Sequence, residues 1–303
     1  MIPAGDGTAT DAATDGTVLG AVGDIVEDVV VRLLEDINVA SDTQSVVTRR
    51  RGGSAANVVA AACLAGGRAR FIGGLGDDMT GDWLTAQLVA AGAEVVGHRH
   101  GRTGTIVVLL DPNGERTMLA DRAASVELTD PEPAWLDGLH TLHIPYYSLV
   151  GEPLATTTAT LAAWARQRGI RVSIDTSSAA LLQHDGPAVA LARIAALHPA
   201  VVLANELEAA TLGPQLHPDH LGGAVVVVKQ GPEPAIVLQR GASPVQVPAL
   251  DVSDVLDTTG AGDAFAAGFL LALADGLDPV AATRRGHEVA AAAVRRASAA
   301  AGA

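Results

Sequence analysis

Cysteine, basic residues and long apolar runs are all scarce in this chain. Cys63 is the only cysteine of the 303 residues, which excludes an internal disulfide and a thiolate metal cluster. Its neighbours in VVAAACLAGG are small and apolar, which is typical of a buried thiol. No apolar run approaches the roughly 20 residues that span a bilayer, and the polar, acidic start does not resemble a signal peptide. We therefore expect a cytoplasmic protein without a membrane partner.

The shortage of positive charge also limits the choice of ligands. Lys and Arg together number 20 against 34 Asp and Glu, which gives a formal net charge of −14. Such a balance argues against a nucleic-acid-binding surface, which needs a basic patch. It does not exclude a nucleotide, because Mg²⁺ and a local dipole can override the overall field. Apolar residues at 49% and charged residues at 18% indicate a globular protein.

The order of apolar runs predicts an α/β fold. After Asp130, short runs rich in Val and Ile alternate regularly with helical segments, which indicates a mainly parallel sheet covered on both faces. We predict helices over 52–67, from about 176 to His198, over 261–275 and over 279–299. Residues 1–16 show no periodicity and are predicted to form a mobile tail, followed by a single domain over 17–303.

Short extended segments before Asp130 do not fit that alternation. The segment TGTIVVLLDPNGERTMLA reads as a β-hairpin that turns at Asp111 to Gly114. We expect strands from about 28–50 and 103–122 to form a small β-sheet lid on the α/β body. Arg116 and Arg122 lie on or just after this hairpin, where they either reach a substrate carboxylate or phosphate or face solvent.

The stretch DTTGAGDAF combines features of a phosphate site with negative charge. Gly260, Ala261 and Gly262 have little or no side chain, so their N–H groups can approach an anion at a helix start. Asp263 follows at once and would repel a bound phosphate unless it serves another reactant. It can accept the proton of an attacking hydroxyl while the turn holds the phosphoryl oxygens. The alternative is a plain helix N-terminus that an acid stabilises.

Three segments together resemble the ribokinase family of carbohydrate and nucleoside kinases, the phosphofructokinase-B superfamily. They are GGSAANVVAAACLAGG, FIGGLGDDMTG and DTTGAGDAF, and the resemblance in order and spacing covers nearly all of residues 18–296. It implies a three-layer α/β/α sandwich with a β lid, and ATP and Mg²⁺ as reactant and cofactor. In this family Asp263 would be the catalytic base, and residues 260–262 would form the anion hole.

The resemblance also assigns the acceptor site. Asp28 stands five residues after the strand-terminal Gly23, where the family binds substrate hydroxyls. Gly52 and Gly53 permit close approach, and Asn57 lies one turn into the next helix. A carboxylate with an amide suits a polyol, because hydroxyl groups both donate and accept hydrogen bonds. The alternatives are a solvated acid for Asp28 and a helix-start residue for Asn57.

Metal and nucleotide residues follow from the same resemblance. The segment NELE matches the family's N-x-x-E motif, so Asn205 and Glu208 would hold Mg²⁺ directly or through water. Locally the same two residues make a helix cap with a capping-box glutamate. Asp257 would belong to a monovalent-cation site for K⁺. Nucleotide contacts are expected from three further residues: Lys229, Gly231 and His287.

The chain departs from the family pattern at several of these places. Lys229 stands where the family usually has threonine, and Pro234 and Ser298 stand where glycine is common. Tyr146 and Tyr147 replace an acidic residue of ribose-specific members, which argues against ribose as the acceptor. The tyrosines can pack on a sugar face or a nucleobase, or one can belong to the core.

The sequence therefore predicts an ATP-dependent kinase that phosphorylates a primary hydroxyl of a small sugar or sugar derivative. A nucleoside kinase of the same family is the first alternative, and a non-catalytic ligand sensor with the same fold is the second. A dinucleotide-binding dehydrogenase lacks support, because GGLGDDMTG does not have the G-x-G-x-x-G spacing. Dimerisation through the lid is an expectation from the family.

Overall fold

Two β-sheets and eight α-helices make up the described part of the chain. In this computed structural model residues 18–113 and 115–301 are described, so the tail predicted at 1–16 lies outside them. The strands are β1 (Val18–Val22), β2 (Val26–Leu33), β3 (Ser45–Gly52), β4 (Arg68–Ile72), β5 (Glu94–Val96), β6 (Thr103–Leu110), β7 (Arg116–Ala123), β8 (Leu139–Pro145), β9 (Arg171–Asp175), β10 (Val201–Asn205), β11 (Val225–Gln230), β12 (Glu233–Leu238) and β13 (Val245–Val247).

The larger sheet is the middle layer of the molecule. Its nine strands have the order β13-β12-β11-β10-β9-β8-β1-β4-β5. All neighbours from β11 to β5 are parallel, whereas β12 and β13 each run antiparallel to the strand before them. Because parallel strands end at the same edge, the last residues of β8 to β11 lie side by side there. That edge carries the candidate site.

Helices cover both faces of this sheet. They are α1 (Ser54–Leu64), α2 (Met79–Ala90), α3 (Leu154–Gln167), α4 (Ala179–Asp185), α5 (Pro187–Ala196), α6 (Glu206–Leu212), α7 (Ala261–Ala274) and α8 (Pro279–Ala301). One apolar core joins the sheet to α1, α2, α7 and α8, and the other joins it to α3 to α6. Among the helices of the described residues, none is long and apolar enough to cross a bilayer.

The smaller sheet, which we call the lid, consists of β3-β2-β6-β7. Strand β2 pairs antiparallel with β3 and parallel with β6, and β6 pairs antiparallel with β7. Its own core is small, since Val26, Val30, Ile106 and Val108 are its buried apolar side chains, with Leu110 packed against them. The lid therefore depends on contacts with the body for its position.

The predicted three-layer α/β/α architecture with a small separate sheet is confirmed. One helix prediction is wrong, because the segment predicted to be helical up to about His198 forms two helices, α4 and α5. Gly186 separates them with a left-handed φ of 86°, and Pro187 begins the second helix. Proline disfavours helical backbone at the residue before it, so the Gly-Pro pair ends one helix and starts the next.

Candidate active site

The turn before α7 presents backbone donors at a helix start. Gly260 adopts a left-handed conformation, with φ of 77°, and forms the N-cap of the helix. The Ala261 N–H donates to the Thr258 carbonyl at 3.1 Å, so this donor is used inside the turn. Over residues 18–113 and 115–301, the N–H groups of Gly260 and Gly262 have no backbone acceptor. Of the three predicted anion-hole residues, these two have free donors.

Asp263 lies in the first turn of α7 and faces the start of α1. Its carboxylate accepts hydrogen bonds from Ser54 Oγ at 2.7 Å and from Asn57 Nδ2 at 3.0 Å. Burial raises the pKa of Asp263 to about 7, although the hydrogen bonds from Ser54 and Asn57 oppose this shift. A carboxyl group with a pKa near neutrality is suited to take up and release a proton.

The residues predicted to bind the acceptor lie beside this carboxylate. A cavity of about 170 Å³ is lined by Asp28, Arg50, Arg51 and Asn57 together with parts of α1, α7 and α8. Gly52 is required by the approach of Asp28, because a β-carbon there would lie 2.2 Å from the Asp28 Oδ1 atom. Burial raises the pKa of Asp28, and the positive charge of Arg50 opposes the shift.

The backbone at position 53 requires glycine for a separate structural reason. Its φ is 96°, and a β-carbon there would lie 2.4 Å from the Asp24 carbonyl oxygen. The two glycines thus let the chain turn from β3 into α1 while α1 starts against the β1–β2 connection. Their predicted contact with an acceptor stays a prediction.

Lys229 brings a positive charge to the free N–H groups of the turn. It is the only lysine of the chain, and it lies near the end of β11 beside Asn205 of β10. Its Nζ donates to Asp175 Oδ2 at 2.6 Å, and a β-carbon at Gly262 would lie 3.4 Å from Nζ. Although burial opposes it, the carboxylates of Asp175 and Glu208 raise the pKa of Lys229, which keeps it charged.

Asn205 and Glu208 form the capping box that the local sequence predicts. Asn205 Oδ1 accepts from the Glu208 N–H at 2.9 Å, and Glu208 Oε2 accepts from the Asn205 N–H at 2.8 Å. Thr176 Oγ1 also donates to Glu208 Oε2, at 2.6 Å. In the described part of the chain, no group of three His, Cys, Asp or Glu side chains could hold a metal by itself. The role of Asn205 and Glu208 in holding Mg²⁺ stays a prediction.

Asp257 is held by two arginines of the lid. Its Oδ2 accepts from Arg50 of β3 at 3.0 Å, and its Oδ1 accepts from Arg116 of β7 at 3.1 Å. The Thr259 N–H donates to the same Oδ1 at 2.8 Å. Although burial opposes it, the hydrogen bonds from Thr259 and the interaction with Arg50 lower the pKa of Asp257 to about 2. A cation at Asp257 would compete with two guanidinium groups, and its predicted role stays a prediction.

A family model described as pfkB family carbohydrate kinase matches residues 19–303. The chain belongs to this family. Its fold, its glycine-led α1 and the placement of Asp263 in the first turn of α7 agree with the resemblance found in the sequence, which is thereby confirmed. The protein is an ATP-dependent carbohydrate kinase.

The curated relatives of the kinase carry the names of sugar or sugar-phosphate kinases. The chain is 32% identical over 259 residues to an ATP-dependent ribose-1-phosphate kinase of Halopiger xanaduensis. This match covers 82% of each chain. The chain is also 32% identical over 238 residues to a fructokinase of Salmonella typhimurium, which covers 74% of this chain and 76% of the relative.

Solved structures support the fold of the kinase. An adenosine kinase from Sinorhizobium meliloti matches with a TM-score of 0.80 at 24% identity, covering 93% of this chain and 94% of the other. An Arabidopsis thaliana ribokinase with ribose and ATP matches with a TM-score of 0.74 at 20% identity, covering 92% and 93%. At these identities the likeness concerns the architecture alone.

Two further residues predicted to contact the nucleotide are His287 and Gly231. His287 of α8 is buried, with Nε2 at 3.3 Å from the Val247 carbonyl oxygen and its ring edge-on to Phe265. Gly231 lies in the exposed turn between β11 and β12, with φ of 61°. Their predicted nucleotide contacts stay predictions.

The two tyrosines of the kinase have different surroundings. Tyr146 is fully buried, and its hydroxyl donates to Asp185 Oδ2 at 2.7 Å, so it belongs to the core. Tyr147 is half-buried, and the Arg122 guanidinium lies 4.2 Å from its ring centroid. Arg122 also pairs with Asp24, in the connection after β1.

Sequence reasoning missed Asp175 and Arg51. Asp175 ends the strand IRVSID, and a carboxylate at the end of a parallel strand is a signal for a site residue. Arg51 directly precedes Gly52, and its Nη1 donates to Asn57 Oδ1 at 2.9 Å. The run of three arginines before the glycine pair was its signal.

Proposed function

We propose that this kinase transfers the γ-phosphoryl group of ATP to a primary hydroxyl of a small sugar, with Asp263 as the base. The hydroxyl oxygen forms a bond to the γ-phosphorus, and the bond from that phosphorus to the β–γ bridging oxygen breaks. Its electron pair leaves with ADP, and the hydroxyl proton passes to Asp263. The observation that carries the proposal is the half-buried Asp263 carboxylate, held by Ser54 and Asn57 beside the free N–H groups.

Each of the other site residues would bind either the acceptor or the phosphoryl group that is transferred. We propose that Asp28 and Asn57 hold acceptor hydroxyls, and that the N–H groups of Gly260 and Gly262 stabilise charge on the transferring phosphoryl group. Lys229 would add its charge at the same place, since its Nζ lies beside Gly262. The lid would close over the acceptor and exclude water.

A sugar is supported over a nucleoside as the acceptor. The named relatives at 32% identity are sugar or sugar-phosphate kinases. Tyr146 is in the core and one face of Tyr147 lies against Arg122, so neither offers an open ring to a nucleobase from that side. The cavity of about 170 Å³ is below the size that holds drug-sized ligands, about 300–1,000 Å³.

Mg²⁺ would be held by Asn205 and Glu208 through water. When bound in kinases, Mg²⁺ neutralises charge on the β- and γ-phosphates. The two side chains fit an outer-sphere role, because the Glu208 carboxylate is already fixed by Asn205 and Thr176. Burial and the nearby Asp175 charge raise the pKa of Glu208, and a cation held beside it would lower this pKa again. Monovalent-cation dependence at Asp257 is tested by comparing turnover in K⁺ and in choline.

We propose that two copies of the chain pair through the outer face of the lid. Val29, Val31, Val47, Val107 and Leu119 alternate with the inward side chains and share this face. Val47 and Leu119 are 55% and 56% exposed, and apolar faces of this kind mark interaction surfaces.

The absence of nucleic-acid and membrane partners stays a prediction from the sequence, and so does the cytoplasmic location.

Replacing Leu119 with glutamate is expected to convert dimer to monomer in sedimentation equilibrium, because it places charges in the paired apolar face. Met118→Glu is the matched control, since Met118 is 60% exposed on the same strand with its side chain on the opposite face. A wild-type protein that is monomeric at all concentrations, or equal effects of both variants, would contradict lid pairing.

The raised pKa of Asp263 predicts an acid limb in the rate profile. The base must be deprotonated, so kcat/KM should rise tenfold per pH unit below about 7 and level off above it. The Ser54 hydrogen bond holds this pKa down, so Ser54→Ala should move the limb to higher pH. Initial rates between pH 5.5 and 8.5 measure both effects. A flat wild-type profile, or a limb unmoved in Ser54→Ala, would count against Asp263 as the base.

A coupled assay of ADP release tests the proposed function. The panel contains neutral pentoses and hexoses, sugars with an anionic substituent, and nucleosides, each with ATP and Mg²⁺. Acceptor-dependent ADP release with sugars supports the proposal, and release with nucleosides alone would make the chain a nucleoside kinase. A ligand-induced rise in melting temperature without ADP from any acceptor would favour a non-catalytic sensor.

A further inference from the structure

Three consecutive arginines end β3 directly before Gly52, and they do not face the same way. Arg49 pairs with Glu27, and its side chain is 67% exposed. Arg50 and Arg51 line the cavity of about 170 Å³ together with Asp28 and Asn57, next to the Asp263 carboxylate. The cavity therefore contains two guanidinium groups of β3, besides Arg296 of α8, that the chemistry of a neutral sugar does not require.

Arg51 has few partners for a half-buried cation. Its Nη1 donates to the neutral amide of Asn57, and in the described residues no carboxylate oxygen lies within 4.0 Å of it. Burial lowers the pKa of Arg51, although the more distant charges of Asp263 and Asp28 oppose the shift. A guanidinium carries five N–H donors, so four remain for a ligand.

Arg50 offers a second donor at the same cavity. Its Nη1 is taken by Asp257, but its Nε is buried without a hydrogen-bond partner. The nearest carboxylate oxygen given for Nε is Asp28 Oδ2, at 3.8 Å, which is beyond hydrogen-bond distance. A buried donor left without a partner is costly, so this N–H also calls for an acceptor atom from a ligand.

The two arginines of lid strand β7 already have partners in the structure. Arg116 donates to Asp257 and Thr259, and Arg122 pairs with Asp24 and covers Tyr147. Of the β3 and β7 arginines that lie near the site, Arg50 and Arg51 are thus the ones with unmet donors at the cavity. Guanidinium groups bind carboxylates and phosphates with two parallel hydrogen bonds, and such charge-assisted bonds are stronger than those to hydroxyl groups.

We propose that the acceptor carries an anionic substituent, a phosphate monoester or a carboxylate, which Arg51 binds together with the Nε–H of Arg50. This inference rests on the proposed function, and it adds the chemical class of the sugar. Asp28 and Asn57 then hold its hydroxyl groups, and the hydroxyl that is phosphorylated lies at Asp263. One of the relatives is named for a phosphorylated sugar, which agrees with this assignment.

Matched acceptor pairs test the proposal. Ribose with ribose 1-phosphate, fructose with fructose 1-phosphate and with fructose 6-phosphate, and sorbitol with gluconate differ in an anionic substituent and separate phosphate from carboxylate. In at least one pair we expect the anionic member to have a kcat/KM at least tenfold above that of the neutral member. We expect Arg51→Gln to lower this ratio on the order of 10- to 100-fold, mainly through the KM of the anionic member.

Two further variants keep the result interpretable. Arg51→Lys retains the charge and should recover part of the ratio, and Arg49→Gln, on the exposed face of the same strand, should leave it unchanged. The anionic member alone should raise the melting temperature of the wild type more than that of Arg51→Gln. Neutral members that match or exceed their anionic partners in every pair, or a ratio unmoved by Arg51→Gln, would overturn the anionic subsite. If no acceptor of either kind releases ADP, the proposed function itself fails.

Discussion

Asp263→Asn is expected to lower kcat by roughly two or more orders of magnitude, with little change in ATP affinity. Asparagine can keep the hydrogen bond from Ser54, but it cannot take the proton of the acceptor hydroxyl. The N–H donors of the turn belong to the backbone and are unaffected. Steady-state ADP release gives kcat, and calorimetric titration with a non-hydrolysable ATP analogue gives the nucleotide dissociation constant.

Asp254→Asn is a suitable control for this variant. Asp254 is exposed, lies three residues before Asp257 and has a φ of 56°, a conformation that asparagine tolerates well. It should retain wild-type turnover and the same melting temperature. Near-normal turnover of Asp263→Asn would sink the assignment of the base, because no other carboxylate touches both Ser54 and Asn57 in the described residues.

Lys229→Met is expected to lower kcat on the order of 10²- to 10³-fold. The ammonium group lies beside Gly262, where charge builds on the transferring phosphoryl group, and methionine keeps the length of the side chain without its charge. The ground-state affinity for ATP should fall less than kcat, which is measured by comparing the two constants. Lys229→Arg restores a positive charge and should recover part of the rate.

Because Lys229 is the only lysine, amine-specific labelling reports on it directly. Trinitrobenzenesulfonate reacts with neutral amines, so the raised pKa of Lys229 should make its modification slower than that of the α-amino group. ATP with Mg²⁺ should slow the modification of Lys229 further and leave that of the α-amino group unchanged. Peptide mass analysis separates the two sites. A Lys229→Met variant with more than a third of the wild-type kcat, or labelling that ATP does not slow, would remove Lys229 from the phosphoryl site.

Much of the fold followed from the sequence because its patterns are local. Continuous Val and Ile runs predict buried parallel strands, and the last two helices were predicted within two residues at each end. The break between α4 and α5 is marked in the sequence by Gly186 followed by Pro187, a pair that the prediction of one continuous helix did not take into account.

The candidate site was predictable in part. Asp263 and Asn57 were identified from motifs, but their hydrogen bond joins residues 206 positions apart and depends on how α1 and α7 pack. The pair of Asp175 and Lys229 requires three neighbouring parallel strands in register, which no local pattern contains. The ion pairs of Asp257 with Arg50 and Arg116 depend on the position of the lid, and for that reason no local pattern predicts them.

The small separate core of the lid has a consequence for how acceptor preference can diverge. The apolar cluster of Val26, Val30, Ile106 and Val108 shares no member with the two cores of the main sheet. Substitutions within this cluster therefore leave the two main cores unchanged, provided that they spare Arg50, Arg116 and Arg122, whose ion pairs with Asp257 and Asp24 dock the lid. Acceptor recognition is modular in this architecture, so grafting lid strands between homologues offers a way to exchange specificity while the phosphoryl-transfer apparatus is inherited intact.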